Sequence, residues 1–149
     1  MQTRIRTATG GRALDILGNA FLEKAGSDDL NGGAAVFVQT VVPAGGPPAH
    51  FHRDTDEFFF MLDGELEVWV GADHATLRSG MSATLPRGVV HRFDNVTDKP
   101  AKVLVVVTPG SGARFFDDID RAHLQLPNDM DKLAAIVACH DIQFASNPA

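Results

Sequence analysis

The sequence predicts an all-β domain, a sandwich or barrel, followed by a helical tail. Three observations predict it. Between about residues 34 and 110, short runs rich in Val, Phe and Leu alternate with Gly, Pro, Asp and Asn turn signals. After Pro109 the apolar spacing changes to three and four, as on a helix face. At 149 residues the chain is long enough for one domain with a single core, so residues 1–149 are read as one unit.

Taken in order, Thr3 to Thr9 fits a short strand with Ile5 inward. Ala13 to Lys24 suits a turn or two of helix or an irregular strand, and its residues do not decide between them. Ser27 to Gly33 is polar and glycine-rich, hence a loop. Ala34 to Val42 is a strand, since Val36, Phe37, Val38, Val41 and Val42 are β-formers. Pro43 to Pro48 leads into a second extended run.

Residues 57 to 70 are expected to form a hairpin turning at Asp63-Gly64. Glu57, Phe59 and Met61 share one face of its first strand, and Phe58, Phe60 and Leu62 share the other. Two apolar faces argue for burial on both sides. Gly71 to His74 is a turn; Ala75 to Leu77, Met81 to Leu85, Val89 to Asn95 and Ala101 to Thr108 are strands. The tail, about 113–144, carries two helices, Ala113 to Leu124 and Met130 to His140, with fraying over 145–149.

The chemistry concentrates in two stretches. His50 and His52, at i and i+2, share one face of an extended strand, and Glu57 opens the next run. A turn marked by Pro86 and Gly88 then delivers His91. Three neutral imidazoles and a carboxylate suit a divalent transition metal, and iron, nickel, manganese, cobalt, copper and zinc all fit. Such a set leaves the ion a net charge of about +1, which favours an anionic oxygen of a substrate. Phe59, Met61 and Phe93 share parity with these residues and are the expected wall of an apolar substrate pocket.

These stretches resemble the paired motifs of the cupin superfamily. The first motif runs from His50 through His52 and Glu57 to Gly64; its leading glycine is replaced by Ala44, with Gly45 and Gly46 beside it. The second is matched in full by Gly80, Pro86, Gly88, His91 and Asn95. The resemblance covers roughly residues 34 to 110 and implies a double-stranded β-helix, or jelly-roll, barrel. It implies metal ligation by His50, His52, Glu57 and His91, one metal per chain, and a homodimer. The single-barrel, helix-tailed layout is similar to quercetin dioxygenase-like cupins. There the metal holds an enol or flavonol, the glutamate, here Glu57, is ligand and base, and dioxygen opens the ring.

An oxygen-independent cyclase, isomerase or lyase with the metal as Lewis acid is the alternative, as is a non-catalytic small-molecule binder. The absence of tyrosine argues against cupin lyases that use a tyrosinate base. The net charge of −6 and the lack of a basic patch exclude nucleic acid as the expected partner. No membrane-spanning run or signal peptide is evident, and the single Cys139 suits a reducing, cytoplasmic setting. His74, His123 and His140 read as surface residues, Asp54 and Asp56 as solvated loop carboxylates, Asn95 as a structural hydrogen bonder, and Cys139 as a packed helix residue.

Overall fold

In the computed structural model, which describes residues 4–146, eleven strands pair into two antiparallel sheets. They are β1 (Arg12–Ile16), β2 (Asn19–Ala25), β3 (Ala35–Val41), β4 (His50–His52), β5 (Asp56–Asp63) and β6 (Leu66–Val70). There follow β7 (Asp73–Leu77), β8 (Ser82–Leu85), β9 (His91–Asp94), β10 (Ala101–Thr108) and β11 (Ile142–Phe144). One sheet has the order β1-β2-β3-β10-β5-β8, the other β11-β4-β9-β6-β7. Two helices, α1 (Arg114–Ala122) and α2 (Met130–Ala138), lie between β10 and β11. This is the expected jelly-roll barrel with C-terminal helices.

Alternation builds the core. Ala35, Phe37, Gln39 and Val41 of β3 point inward, as do Val103, Val105 and Val107 of β10 and Phe59 and Met61 of β5. Leu66, Val68, Leu77 and Phe93 answer from the second sheet. Phe21 and Phe37 meet Phe116 of α1 at ring distances of 4.8 and 5.2 Å, which seats the helix on the barrel.

Several expectations are corrected. Residues 4–9 form no strand, and Ile5 is 85% exposed; Thr3 lies outside the described residues. The segment is tied to β2 through side chains instead: Lys24 Nζ donates to the carbonyls of Thr7, Ala8 and Gly10. The undecided stretch 13–24 is the β1–β2 hairpin. Its two turn residues, Leu17 and Gly18, have φ of 56° and 86°, the pair of positive values that a tight hairpin needs. Within the 27–33 loop, Ser27–Leu30 winds into a 3₁₀ turn.

Asp63-Gly64 is not a hairpin turn. β5 pairs with β10 and β8, whereas β6 pairs with β7 and β9 in the other sheet. Gly64, at φ 78°, passes so close to β10 that an added Cβ would lie 2.9 Å from the Ala101 Cα. The dipeptide therefore marks a crossing between sheets, and the local hairpin is β6–β7. The outer face of β5 is also not covered by the described residues: Phe58, Phe60 and Leu62 remain 37–42% exposed.

The tail is not helical throughout. β11 adds an edge to β4, and the Ala145 amide donates to the Ala49 carbonyl at 2.9 Å, so the chain is held where fraying was expected; residues 147–149 lie outside the described residues. Cys139 is exposed rather than packed, because α2 turns Leu133 and Val137 inward. Strands of both sheets thus lie outside the 34–110 stretch. Among the described residues, no helix is long and apolar enough to cross a membrane.

Candidate metal centre

The extended backbone of β4 puts His50 and His52 on one face, and the β4–β9 ladder sets His50 directly opposite His91. One ring nitrogen from each of the three histidines lies within 4.8 Å of the others. His52 and His91 are each 1% exposed, while His50 is half-buried. Glu57, at the start of β5 on the facing sheet, is also buried. Its Oε2 stands 3.4 Å from His91 Nε2 and 3.7 Å from His52 Nε2.

Hydrogen bonds on the far side of the rings fix which nitrogen faces inward. His50 Nδ1 lies 2.8 Å from the Pro48 carbonyl and His91 Nδ1 lies 3.1 Å from that of Val89. A carbonyl only accepts, so each Nδ1 carries the proton and Nε2 keeps its lone pair. His52 Nδ1 faces the carboxylate of Asp141 at 3.7 Å. The Asp141 carboxylate is itself oriented by the Asp54 amide and the Thr55 hydroxyl, which donate to its Oδ2 at 2.8 and 2.9 Å.

Electrostatics favour a neutral imidazole at His50 beside an ionised carboxylate at Glu57. Burial, reinforced by His91, pushes the His50 imidazole down to about 4. Burial raises the Glu57 carboxyl, but the pull of His91, His52 and His50 outweighs it and leaves the group low, at about 2.

The residues present fit a metal ion. His52 Nε2 and His91 Nε2 are buried and have no hydrogen-bond partner among the described residues, an arrangement that is costly unless something else engages them. A cation among these nitrogens satisfies them at once. His50, His52 and His91 would hold it, and Glu57 stands beside them.

The second motif supports this cluster. Gly88, at φ 77°, aims its amide at the His52 carbonyl. Arg87 grips Asp56 through its backbone amide and its guanidinium, at 2.8 to 3.1 Å. Asp56 is therefore not an idle loop carboxylate: it ties the strand that bears Glu57 to the turn before His91. Asn95 donates to the carbonyls of Val41 and Lys99 and accepts from Thr97, the structural role expected of it. Ala44, which replaces the motif glycine, has φ 63°. Gly46 passes so near β9 that an added Cβ would lie 2.0 Å from the Phe93 carbonyl.

A cavity of about 320 Å³ opens beside the histidines. Phe59 and Phe93 form part of its wall, in edge contact at 5.3 Å, together with His50 and Glu57. Met61 shares their parity but is fully buried in the core and does not line the cavity. The opposite wall is one the sequence did not disclose: Phe115, Phe116, Leu133 and Val137 of the helices and Ile142 of β11 close over it. Gln39 also lines it. Of the remaining histidines, His74 stacks on Trp69 and meets Glu67, and His123 ends α1. His140 is not a plain surface residue, since its Nε2 engages Asp118 at 2.8 Å and its side chain is mostly buried.

Residues 37–107 match the cupin domain family. A solved protein of Thermus thermophilus is 32% identical, over 52% of this chain and 74% of that one, with a TM-score of 0.50. The chain belongs to the cupin family. This cupin is also 32% identical over 60 residues to the polyketide synthase CurC of Streptomyces cyaneus, which covers 40% of this chain and 39% of that protein. It is 39% identical over 46 residues to the quercetin 2,3-dioxygenase of Bacillus subtilis, covering 31% of this chain and 14% of the enzyme. The matched segments thus span less than half of those relatives. The polyketide cyclase RemF of Streptomyces resistomycificus shares the fold, with a TM-score of 0.61 at 20% identity over 73% of this chain and 80% of that one.

Proposed function

We propose that this cupin is a metal-dependent enzyme acting on a flat enol, flavonol or other aromatic substrate, in the manner of a quercetinase-like dioxygenase. One observation carries the proposal: three imidazoles converge beside a carboxylate, and two of these groups, His50 and Glu57, line an apolar, aromatic-walled cavity. A single divalent transition metal held by His50, His52, His91 and Glu57 supplies Lewis acidity there and, if redox-active, electrons for dioxygen chemistry. Phe59 and Phe93 flank the ring system and exclude water. Glu57, ionised and beside the histidines, takes the proton of the substrate hydroxyl at Oε2. The likeness to the Bacillus subtilis dioxygenase supports this reading.

The test is oxygen uptake by protein loaded in turn with iron, nickel, manganese, cobalt, copper and zinc, with flavonols and other enols as substrates. Uptake in step with substrate loss, abolished in Glu57→Gln, supports it. Turnover without oxygen consumption overturns the dioxygenase assignment. That outcome would favour the second reading, an oxygen-independent polyketide cyclase, which the match to CurC supports.

The proposal extends to a homodimer. On the outer face of the larger sheet the pairing register aligns Leu22, Val38, Leu104 and Phe60 in one row, and Val36, Val106 and Phe58 in the next. A second copy packed on this face would cover these side chains.

A further inference from the structure

Gln39 is an inward-facing polar residue in an otherwise apolar β3, and it is 4% exposed. Other buried polar side chains of the barrel are committed. Asn19 accepts from the Val42 amide, Asn95 bridges two carbonyls, and Thr55 donates to Asp141. The Gln39 amide makes no side-chain hydrogen bond among the described residues, and what surface it has faces the cavity. A primary amide offers two donors and an acceptor, and buried amides as a rule engage something.

Its position relative to the metal centre follows from the register. Gln39 pairs with Val103 of β10, and Glu57 pairs with Val107 on the other side of that strand. Four positions at ~3.3 Å and two strand spacings at ~4.8 Å set an upper bound of about 16 Å between the two Cα atoms. Both side chains point into the same cavity, and Phe59 and Val105 line the wall between them.

We propose that Gln39 is the specificity-determining anchor for the far end of the substrate. It hydrogen-bonds a hydroxyl or carbonyl on a polycyclic phenol whose opposite, acidic oxygen lies at the histidines. This rests on the aromatic-substrate reading above and narrows it: the substrate carries two polar ends separated by an apolar ring system. A hydrocarbon tail at the far end would leave the amide unengaged, and the site would reject it.

The experiment compares equilibrium binding of 3-hydroxyflavone and 4′-hydroxy-3-hydroxyflavone to the metal-loaded protein. Wild type is expected to prefer the 4′-hydroxy compound by about tenfold or more. Gln39→Met, of similar length, is expected to erase that preference and to bind 3-hydroxyflavone more tightly than wild type does, because no amide is left unengaged. The thermal midpoint of metal-free Gln39→Met should be equal to or above that of wild type, because no internal hydrogen bond is lost; a lowered midpoint would mean a structural role and overturn the proposal. Gln39→Leu repeats the test should the first variant fail to fold. Retention of the preference in a folded variant, or no preference in wild type, overturns the assignment of Gln39 and leaves the aromatic-substrate reading standing. Failure of both flavonols to bind wild type overturns that reading, and the anchor with it.

Discussion

The amide of Gly88 donates to the carbonyl of His52 across 2.6 Å, so the turn of the second motif is fastened to the strand of the first. Only a residue at ease with positive φ can aim that amide; Gly88 sits at φ 77°, and an added Cβ would meet nothing within 4 Å. Gly88→Ala should therefore lose roughly 1–2 kcal/mol to backbone strain and regain roughly 0.5–1 kcal/mol through the stiffer unfolded chain, a net loss of about 0.5–1 kcal/mol. Chemical denaturation of the metal-free protein measures it. An unchanged midpoint would show that the turn relaxes without cost.

Ala44 presents the inverse case. It holds φ 63° with a Cβ attached. Ala44→Gly relieves roughly 1–2 kcal/mol of left-handed strain and loses roughly 0.5–1 kcal/mol through the freer unfolded chain. The expected net is a gain of about 0.5–1 kcal/mol, seen as a raised thermal midpoint. A lowered midpoint would mean that the Ala44 methyl group contributes contacts worth more than the strain.

The Pro48 and Val89 carbonyls accept hydrogen bonds from two of the imidazoles, whereas the Asp141 carboxylate faces His52 Nδ1 at 3.7 Å, beyond hydrogen-bond reach. Asp141→Asn keeps an acceptor for the Asp54 amide and the Thr55 hydroxyl but turns an NH₂ toward His52 Nδ1. Metal affinity is expected to fall by about 10–100-fold, read by competition with a chromophoric chelator. The melting of the metal-free protein should change little. Undiminished affinity would release Asp141 from this role.

The Asp56–Arg87 pair yields a pH signature. Hydrogen bonds from the Arg87 side chain and amide hold the Asp56 carboxyl at about 2, below its ordinary 3.8. A carboxyl depressed in the fold contributes stability that is fully present above 3.8 and is lost as pH falls through about 2. Asp56→Asn should thus be less stable than wild type by a constant margin above pH ~4, with the two converging toward pH ~2. Denaturant midpoints of the metal-free proteins across that range check it. A margin independent of pH would assign the effect to the neutral hydrogen bonds.

Oligomeric state tests the apolar outer face. Phe60→Glu places a charge in the row formed by Leu22, Val38 and Leu104, and sedimentation should show wild-type dimers and variant monomers. Monomeric wild type would remove the dimer proposal.

Much of the centre was legible in the sequence because strand geometry is strict: a spacing of two puts His50 and His52 on one face whatever the rest of the chain does. The Gly-Pro-Gly punctuation before His91 was equally local. What escaped was non-local. Asp63-Gly64 reads the same at a hairpin and at a crossing between sheets; only pairing partners tell them apart. Asp141 meets His52 across most of the barrel sequence, and three residues after a helix carry too little periodicity to announce β11. Gln39 is one polar residue in a Val-rich strand, and nothing local marks it out. Met61 had the right parity but the wrong depth, which alternation cannot supply.

The partner of β4 at its outer edge is β11, made from the last described residues of the chain. Two of the three imidazoles are therefore synthesised long before their strand acquires its neighbour. During translation, a nascent barrel lacking β11 would present these histidines on an unbuttressed edge, with Asp141 not yet in place. Asp141, behind His52, lies directly before that strand, so a protease cut between the helices and β11 would strip the support from this cluster without touching any of its histidines.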